Sequence, residues 1–248
     1  MDVTPGYREM APGAAFGHQI DCVWVRVQPP EPGGRTLVLP DACADLIWQR
    51  GVGAYVAGPD TGPAPVSHAP GLVMAGVRFR PGAGGAALGL PLSELLNQRV
   101  PASELPGLPA RQLPGSLPLD LAVRALTQLA ASLVTDRPPD PVAVQAARLL
   151  ARPGARAEQV AARLDISERQ LRRRCQAAVG YGPRTLHRVL RFRRFLASLH
   201  GGRLGAGGPD GLASLAADAG YADQAHLTRE SARLAGLPPA ALARELDG

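Results

Sequence analysis

The chain contains no lysine, only three cysteines, and few aromatic residues, which make up 4% of its 248 positions. All 27 of its basic residues are therefore arginine, and with 29 glycines and 25 prolines this composition is typical of a GC-rich genome. For that reason, arginine in place of lysine at a single position carries no functional information. The three cysteines form neither a Cys-x-x-Cys pair nor the even, regularly spaced set of a disulfide framework.

Other absences narrow the class of protein. No apolar run approaches the roughly 20 residues that span a bilayer. Met1 to Met10 has no basic segment followed by an apolar one, so we expect no signal peptide and a cytoplasmic protein. The five histidines show no metal-ligand spacing, and the glycine-rich run 82–85 lacks the Lys-Ser or Lys-Thr of a phosphate loop. We therefore expect no metal, no cofactor and no enzymatic activity.

Charge is distributed unevenly. Residues 1–140 hold 10 arginines against 12 acidic residues, a net of −2, whereas residues 141–248 hold 17 arginines against 9, a net of +8. Such asymmetry favours a polyanionic partner for the second half, although a solvated basic face would give the same count.

The pattern of apolar residues predicts an α+β protein with a β-rich, small barrel-like N-terminal domain and an all-α C-terminal domain. We expect a β-rich domain over 1–118, a helical linker over 119–140, and an all-α domain over 141–248. The predicted strands are Ile20–Val27, Thr36–Leu39, Ala44–Gln49, Ala54–Ala57 and Leu72–Phe79, with a short helix at Pro91–Gln98. The predicted helices are Leu119–Val134, Asp140–Arg152, Ala157–Leu164, Ser167–Gly180, Pro183–His200, Leu212–Ala219, Asp223–Ala235 and Pro239–Glu245, with a glycine-rich loop at His200–Gly211.

Two segments of the second half repeat one pattern. Each has a short helix with small residues, a turn, a capping residue (Ser167 or Asp223), and a helix with leucine four positions after the cap. This is the pattern of a helix-turn-helix, whose second helix enters the major groove. The helix from Arg184 to Leu199 would span about 24 Å, so it could hold two recognition helices about one DNA turn, roughly 34 Å, apart.

The second half resembles the DNA-binding domain of AraC-type transcriptional regulators. The resemblance rests on Ser167-Glu-Arg-Gln-Leu-Arg-Arg-Arg, Gly180-Tyr-Gly-Pro, Arg188-Val-Leu-Arg-Phe, Gly220-Tyr-Ala-Asp-Gln-Ala-His-Leu-Thr-Arg and Gly236-Leu-Pro-Pro. Residues 1–118 resemble an uncharacterised sensor-like domain, through Leu39-Pro-Asp-Ala-Cys-Ala-Asp-Leu-Ile-Trp, Gly58-Pro-Asp-Thr and Gly76-Val-Arg-Phe-Arg-Pro. The resemblance implies a DNA-binding regulator whose first domain senses an effector or dimerises.

Individual roles follow from the resemblance. The positions expected to read bases are Arg169, Arg172, Arg173, Gln224, Ala225, His226 and Arg229. Those expected to contact the DNA backbone are Ser167, Arg174, Arg188, Arg191, Arg194 and Thr228. Core positions by periodicity are Leu171, Leu186, Leu190, Leu215 and Leu227. Cys175 and Ser231 stand where the family commonly has a large side chain, which predicts a loss of apolar volume.

Several alternatives stay open. The helical half could bind a protein instead of DNA, or residues 1–118 could form a small enzyme or ligand carrier with its own activity. Asp41, Asp45 and Asp60 could line an effector pocket or cap turns. Cys22 and Cys43 could be buried thiols or a redox switch. The expected partners are double-stranded DNA, a small-molecule effector, RNA polymerase and a second copy of the chain, with no membrane. No pattern in the sequence identifies the operator, the effector, or whether transcription is activated or repressed.

Overall fold

The computed structural model of the chain describes residues 5–31, 33–109, 113–200 and 209–247. The described residues form a β-rich part followed by a helical part, as predicted. The strands are β1 (Gly6–Met10), β2 (Ile20–Val27), β3 (Gly34–Val38), β4 (Ala44–Gln49), β5 (Gly53–Ala57), β6 (Ala64–His68), β7 (Val73–Phe79) and β8 (Arg99–Pro101). The helices are α1 (Gly84–Leu88), α2 (Leu119–Asp136), α3 (Pro141–Leu150), α4 (Ala157–Arg163), α5 (Glu168–Val179), α6 (Pro183–His200), α7 (Pro209–Ala219), α8 (Gln224–Ala235) and α9 (Pro239–Asp247).

The β-rich part is a six-stranded antiparallel sheet in the order β1-β2-β7-β4-β5-β8, accompanied by the two-stranded sheet β3-β6. Because side chains alternate along a strand, Val23, Val25 and Val77 all face one side. On that side α2 buries Leu126 and Ala130 in the same apolar core. The predicted helical linker therefore also covers one face of the sheet.

The opposite face of the large sheet carries Trp24, Ile47 and Met74, which form a separate apolar cluster. A Cβ at position 76 would lie 2.3 Å from the Trp24 ring, so only glycine allows the indole to lie across β7. Side chains of the two-stranded β3-β6 sheet stand over this face, and the two sheets enclose a cavity between them.

The helical part begins and ends its helices with the capping groups expected from the sequence. Asp140 accepts a hydrogen bond from the Val142 N–H at 2.9 Å, and Ser167 and Gln170 form a reciprocal capping box. Asp223 accepts from the His226 N–H at 2.6 Å. These contacts satisfy N–H groups that lack a partner in the first turn.

The five leucines predicted from periodicity to be core residues are all buried in the helical part, which confirms that prediction. Cys175 is also buried, and buried Ser231 donates a hydrogen bond of 2.7 Å to the Leu237 carbonyl. The hydroxyl thus bonds the turn between α8 and α9, so part of the expected loss of apolar packing is offset by a hydrogen bond.

Some elements differ from the prediction. The sequence pattern misses β1, β6, β8 and α1, and the expected helix over Pro91–Gln98 is only a 3₁₀ turn at Leu92–Leu95 because Leu96 is extended and Asn97 has φ +59°. Of the expected loop His200–Gly211, residues 201–208 lie outside the described ranges. Its last three residues instead begin α7, where Pro209 suits a first helical position.

The two parts are packed against each other. A Cβ at Gly85 of α1 would lie 2.5 Å from the Ala177 carbonyl oxygen of α5, and one at Gly180 would lie 2.7 Å from Pro59. Ala42, from the loop before β4, is buried in the helical core. Glycine at these two positions therefore allows α5, the first recognition helix, to pack closely against the β-rich part.

Candidate nucleic-acid interface and ligand cavity

The first helix-turn-helix presents three arginines from the start of α5. Arg169, Arg172 and Arg173 are exposed, and none of them has an ion-pair partner within the described residues. At 3.6 residues per turn these three positions fall within an arc of about 100°. The opposite side of α5 buries Leu171 and Cys175. One exposed cationic face is therefore held on a fixed helix.

Arg174, the fourth arginine of α5, has a different environment. Its guanidinium donates to the carboxylate of Asp140, the residue that also caps α3. Its charge is therefore paired at the joint between α3 and α5, and the contact with the DNA backbone expected from the resemblance stays a prediction.

The second helix-turn-helix presents a face of mixed chemistry from α8. Gln224, Ala225 and Arg229 are exposed, and the Thr228 hydroxyl donates to the Gln224 carbonyl at 2.9 Å. His226 is partly buried, since its ring lies edge-on to Tyr221 with the centroids 5.2 Å apart. The expected base-reading positions thus share the exposed start of α8, except that the histidine ring is packed against its own domain.

Three arginines expected on the DNA backbone belong to α6, and the structure uses them inside the protein. Glu230 of α8 is buried, forms an ion pair with Arg188 at 3.1 Å and accepts a hydrogen bond from the Nε of Arg191 at 3.0 Å. The Arg191 guanidinium also lies 4.5 Å above the Tyr221 ring centre. This network fastens the second helix-turn-helix to the connecting helix.

Arg194 makes a similar internal contact. Its guanidinium donates to the Ala151 carbonyl at 2.5 Å and to the Ala219 carbonyl at 3.0 Å. Both carbonyls stand at helix C-termini, where a positive charge is favourable. These side chains bond α6 to α3, α7 and α8, and the DNA-backbone roles expected for Arg188, Arg191 and Arg194 stay predictions.

The cavity between the two sheets has a volume of about 410 Å³, within the range of small-molecule sites. All three aspartates left open by the sequence line it, and Asp41 additionally caps the Cys43 N–H at 2.9 Å. Arg99 pairs with Asp60 through two hydrogen bonds, at 3.1 and 2.6 Å. The three aspartates therefore line the cavity, and Asp41 also caps a turn.

One end of the cavity is acidic around a single arginine. Arg78 lies 3.3 Å from carboxylate oxygens of Glu9, Asp41 and Asp45. Burial raises the pKa of Asp45, against the lowering effect of Arg78. Trp24 donates to the same carboxylate at 2.7 Å, which fixes its indole in the cavity wall.

The loop before β4 joins this cavity to the connecting helix. Cys43 lines the cavity, and its sulfur lies 3.6 Å from the Nη1 of Arg193 on α6. The same guanidinium donates to Asp21 of β2, which also pairs with Arg80 at 2.8 Å. Ala42 adopts φ +67°, a left-handed conformation unusual for alanine, in the middle of this loop. The sequence gives no sign of this joint, because its residues are far apart in the chain.

The cysteines are buried and free within the described residues. Burial raises the pKa of Cys22 and of Cys175 to about 12 each. The same effect raises the pKa of Cys43, so none of the three thiols is activated as a thiolate.

The geometry defines the class of protein. Two helix-turn-helix units, each with a capped second helix, are joined by one long helix and preceded by a β-rich domain with a cavity. A family model described as a helix-turn-helix domain matches residues 160–245, and a domain of unknown function (DUF6597) matches residues 8–101. No curated protein matches the chain significantly.

Similar solved structures include ToxT from Vibrio cholerae. One, a 1.65 Å structure, has 9% identity, covers 91% of this chain and 99% of ToxT, and gives a TM-score of 0.50. Another, of an apo ToxT variant, has 10% identity, covers 90% and 97%, and gives 0.49. The likeness to the 1.65 Å structure shows a shared fold. Residues 160–245 form a helix-turn-helix domain of the AraC type, and the chain is a DNA-binding transcriptional regulator. No helix within the described ranges is both long and apolar enough to cross a membrane.

Proposed function

We propose that the starts of α5 and α8 enter successive major grooves on one face of the duplex. The first would read guanine through Arg169, Arg172 and Arg173, because arginine bonds the N7 and O6 of guanine as a pair. The observation that carries this proposal is their shared exposure without internal ion pairs, whereas four arginines of α6 are engaged inside the protein: Arg188, Arg191, Arg193 and Arg194.

The second recognition helix would read a different chemistry. Gln224 can bond adenine, Ala225 can contact a thymine methyl group, and Arg229 can read guanine or grip a phosphate. His226 lies at the same turn, but its Nε2 is 3.2 Å from the Nη2 of Arg191, so it would contact a base only by exchanging that partner. Ser167 and Thr228 stand at the first turns, where hydroxyl groups meet the DNA backbone. The two half-elements of the operator should therefore differ in base composition.

The proposal extends to a small-molecule effector in the cavity of the β-rich domain. A ligand that moved Asp41 or Cys43 would act on Arg193, whose guanidinium contacts Cys43 and Asp21 from the connecting helix. Since α6 holds both helix-turn-helix units, a shift there would change their separation. Binding in the cavity would thereby alter affinity for paired half-elements.

The DNA-binding part is tested by selecting genomic fragments with the purified full chain at two salt concentrations. We expect a motif of two unlike half-elements about 10 base pairs apart, with affinity falling as salt rises. Arg172→Ala should weaken binding by about 1–3 kcal/mol and relax preference at one position. The control is Arg148→Ala, which removes an exposed arginine from α3 and should bind as the wild type does. Salt-sensitive binding with no enriched motif would contradict the proposal.

A further inference from the structure

The cavity contains a buried histidine with no hydrogen-bond partner. His68, at the end of β6, is 7% exposed, and both of its ring nitrogens are unpartnered within the described residues. A buried polar group without a partner is costly, and such groups are rare away from sites that bind something. Burial and the nearby Arg26 both lower the pKa of His68, so the ring is neutral and offers one N–H donor.

Arg26 lines the same end of the cavity and also lacks an acidic partner within the described residues. Its Nη1 donates to the Thr36 hydroxyl at 3.0 Å, and its guanidinium lies 5.0 Å above the Tyr7 ring centre. Unlike Arg78 and Arg99, which are neutralised by aspartates, it carries an uncompensated charge. An unpaired cation beside an unpartnered N–H donor is suited to an anionic group.

The cavity is therefore polarised along β2. The Arg26 end is cationic, whereas the Arg78 end holds Glu9, Asp41 and Asp45 around one arginine. An anion entering the cavity would be attracted to the first end and repelled from the second. A ligand with a single acidic group would bind in one orientation.

The wall between the two ends is apolar. Trp24, Ile47 and Met74 form it on the large sheet, and Val38 and Val66 line it from one face of the β3-β6 sheet. These surfaces suit a hydrocarbon or aromatic body, whose burial supplies affinity while the polar end supplies specificity.

We propose that the cavity binds a small organic acid, with its carboxylate on Arg26 and His68 and its apolar body against Trp24, Ile47 and Met74. The inference rests on the proposed function only in taking this cavity as the effector site. It names the chemical class of the effector and the residues that distinguish it from neutral and cationic molecules of the same shape.

The test is calorimetric titration of the full chain with matched probes. These are benzoate, cinnamate and octanoate, each compared with its primary amide and with the corresponding amine. We expect at least one acid to bind, and its amide to bind at least about tenfold more weakly, because a hydrogen-bonded charge pair is lost. Stronger binding of the amines, equal binding of acid and amide, or no binding by any probe would overturn the proposal.

Two variants locate the carboxylate. His68→Phe keeps the ring volume and removes both unpartnered nitrogens, so it should leave the melting temperature of the free protein unchanged or higher while weakening the acid about tenfold. Arg26→Gln should weaken the acid at least as much and leave amide binding unchanged. The control is Arg35→Gln, which removes an exposed arginine from β3 outside the cavity lining. An acid that binds His68→Phe and Arg26→Gln as it binds the wild type would place the site elsewhere.

Operator binding by the same preparations separates the two proposals. Acid binding without any effect on DNA affinity would support the ligand class and contradict the effector role of the cavity. Normal operator binding with no acid bound would overturn the ligand class and leave the reading of DNA by α5 and α8 intact.

Discussion

The arginines at the exposed start of α5 and those in the middle of α6 are the same residue type within one basic stretch, yet their surroundings in the structure are opposite. Arg169 and Arg172 of α5 are exposed and free of ion pairs within the described residues. Arg191 and Arg194 of α6 contact a buried carboxylate, an aromatic ring and two helix ends. Charge density along a sequence thus does not measure the charge that a ligand can reach.

The difference arises from where each helix lies. Helix α6 packs against α3, α5, α7 and α8, and buries Phe192 and Phe195 completely. Its long polar side chains therefore meet neighbouring helices and their carbonyl groups before they meet solvent. Helix α5 also packs against several elements, but they contact the side that buries Leu171 and Cys175 and leave Arg169 and Arg172 exposed. Substitutions in α6 should consequently affect stability, and substitutions at the start of α5 should affect DNA binding.

The largest effect should come from the buried carboxylate on which two α6 arginines converge. Glu230→Gln would leave Arg188 and Arg191 without their counter-charge in a partly buried site. We expect the free energy of unfolding to fall by about 3 kcal/mol, the lower end for breaking a buried ion pair, because Arg188 keeps access to solvent. Urea denaturation measures it, and an unchanged midpoint would mean that the network contributes little.

Arg194→Ala should have the next largest effect. It removes two charged hydrogen bonds to helix-end carbonyls, at Ala151 and Ala219, and should lower the free energy of unfolding by about 2 kcal/mol. Arg233→Ala, at an exposed position of α8, is the control and should change stability little. A stable Arg194→Ala protein with weakened DNA binding would support the phosphate contact that the sequence predicts for Arg194.

A smaller effect is expected at the start of the first recognition helix. Ser167→Ala removes the hydroxyl of the capping box with Gln170, which should destabilise the protein by about 1 kcal/mol. Thermal denaturation of the free protein isolates this cost from any DNA contact of the hydroxyl. If the melting temperature stays unchanged while affinity falls, Ser167 acts on the DNA backbone alone.

The smallest effect is a dependence on pH. His187 of α6 donates from Nδ1 to the Leu150 carbonyl at 2.7 Å, and burial with nearby Arg191 and Arg194 lowers its pKa below the ordinary 6.5. The folded state therefore binds the proton more weakly than the unfolded state. The stabilisation is fully present above about pH 6.5 and is lost on acidification, by at most about 1.4 kcal/mol per pH unit. His187→Asn should flatten the decline in melting temperature between pH 7.5 and 5.5; an equal decline in both proteins would exclude His187 as its source.

Local features of the fold were predictable from the sequence, and long-range contacts were not. Asp140, Ser167 and Asp223 cap helices as their spacing indicates, because a cap involves residues two or three positions apart. Strands β2 and β4 match their predicted bounds, since their apolar runs end at turn residues.

The parts that escaped prediction depend on tertiary contacts. Strand β6 contains Pro65 and pairs only with β3, so its identity as a strand comes from its partner. Arg193 contacts Asp21 across 172 positions, and no local pattern distinguishes it from Arg172. The cavity, similarly, exists only where two separate sheets meet.

One paired measurement most directly tests whether arginines at the start of α5 bind DNA while the engaged arginines of α6 stabilise the fold. Arg172→Ala and Arg191→Ala would each be examined for unfolding by urea and for binding to the selected operator over a range of salt. We expect Arg172→Ala to unfold like the wild type and to lose about 1–3 kcal/mol of binding free energy. Arg191→Ala should unfold more easily and, at temperatures where it is folded, keep the salt dependence of the wild type. A stable Arg191→Ala protein with a reduced salt slope, beside an Arg172→Ala protein with normal binding, would contradict it.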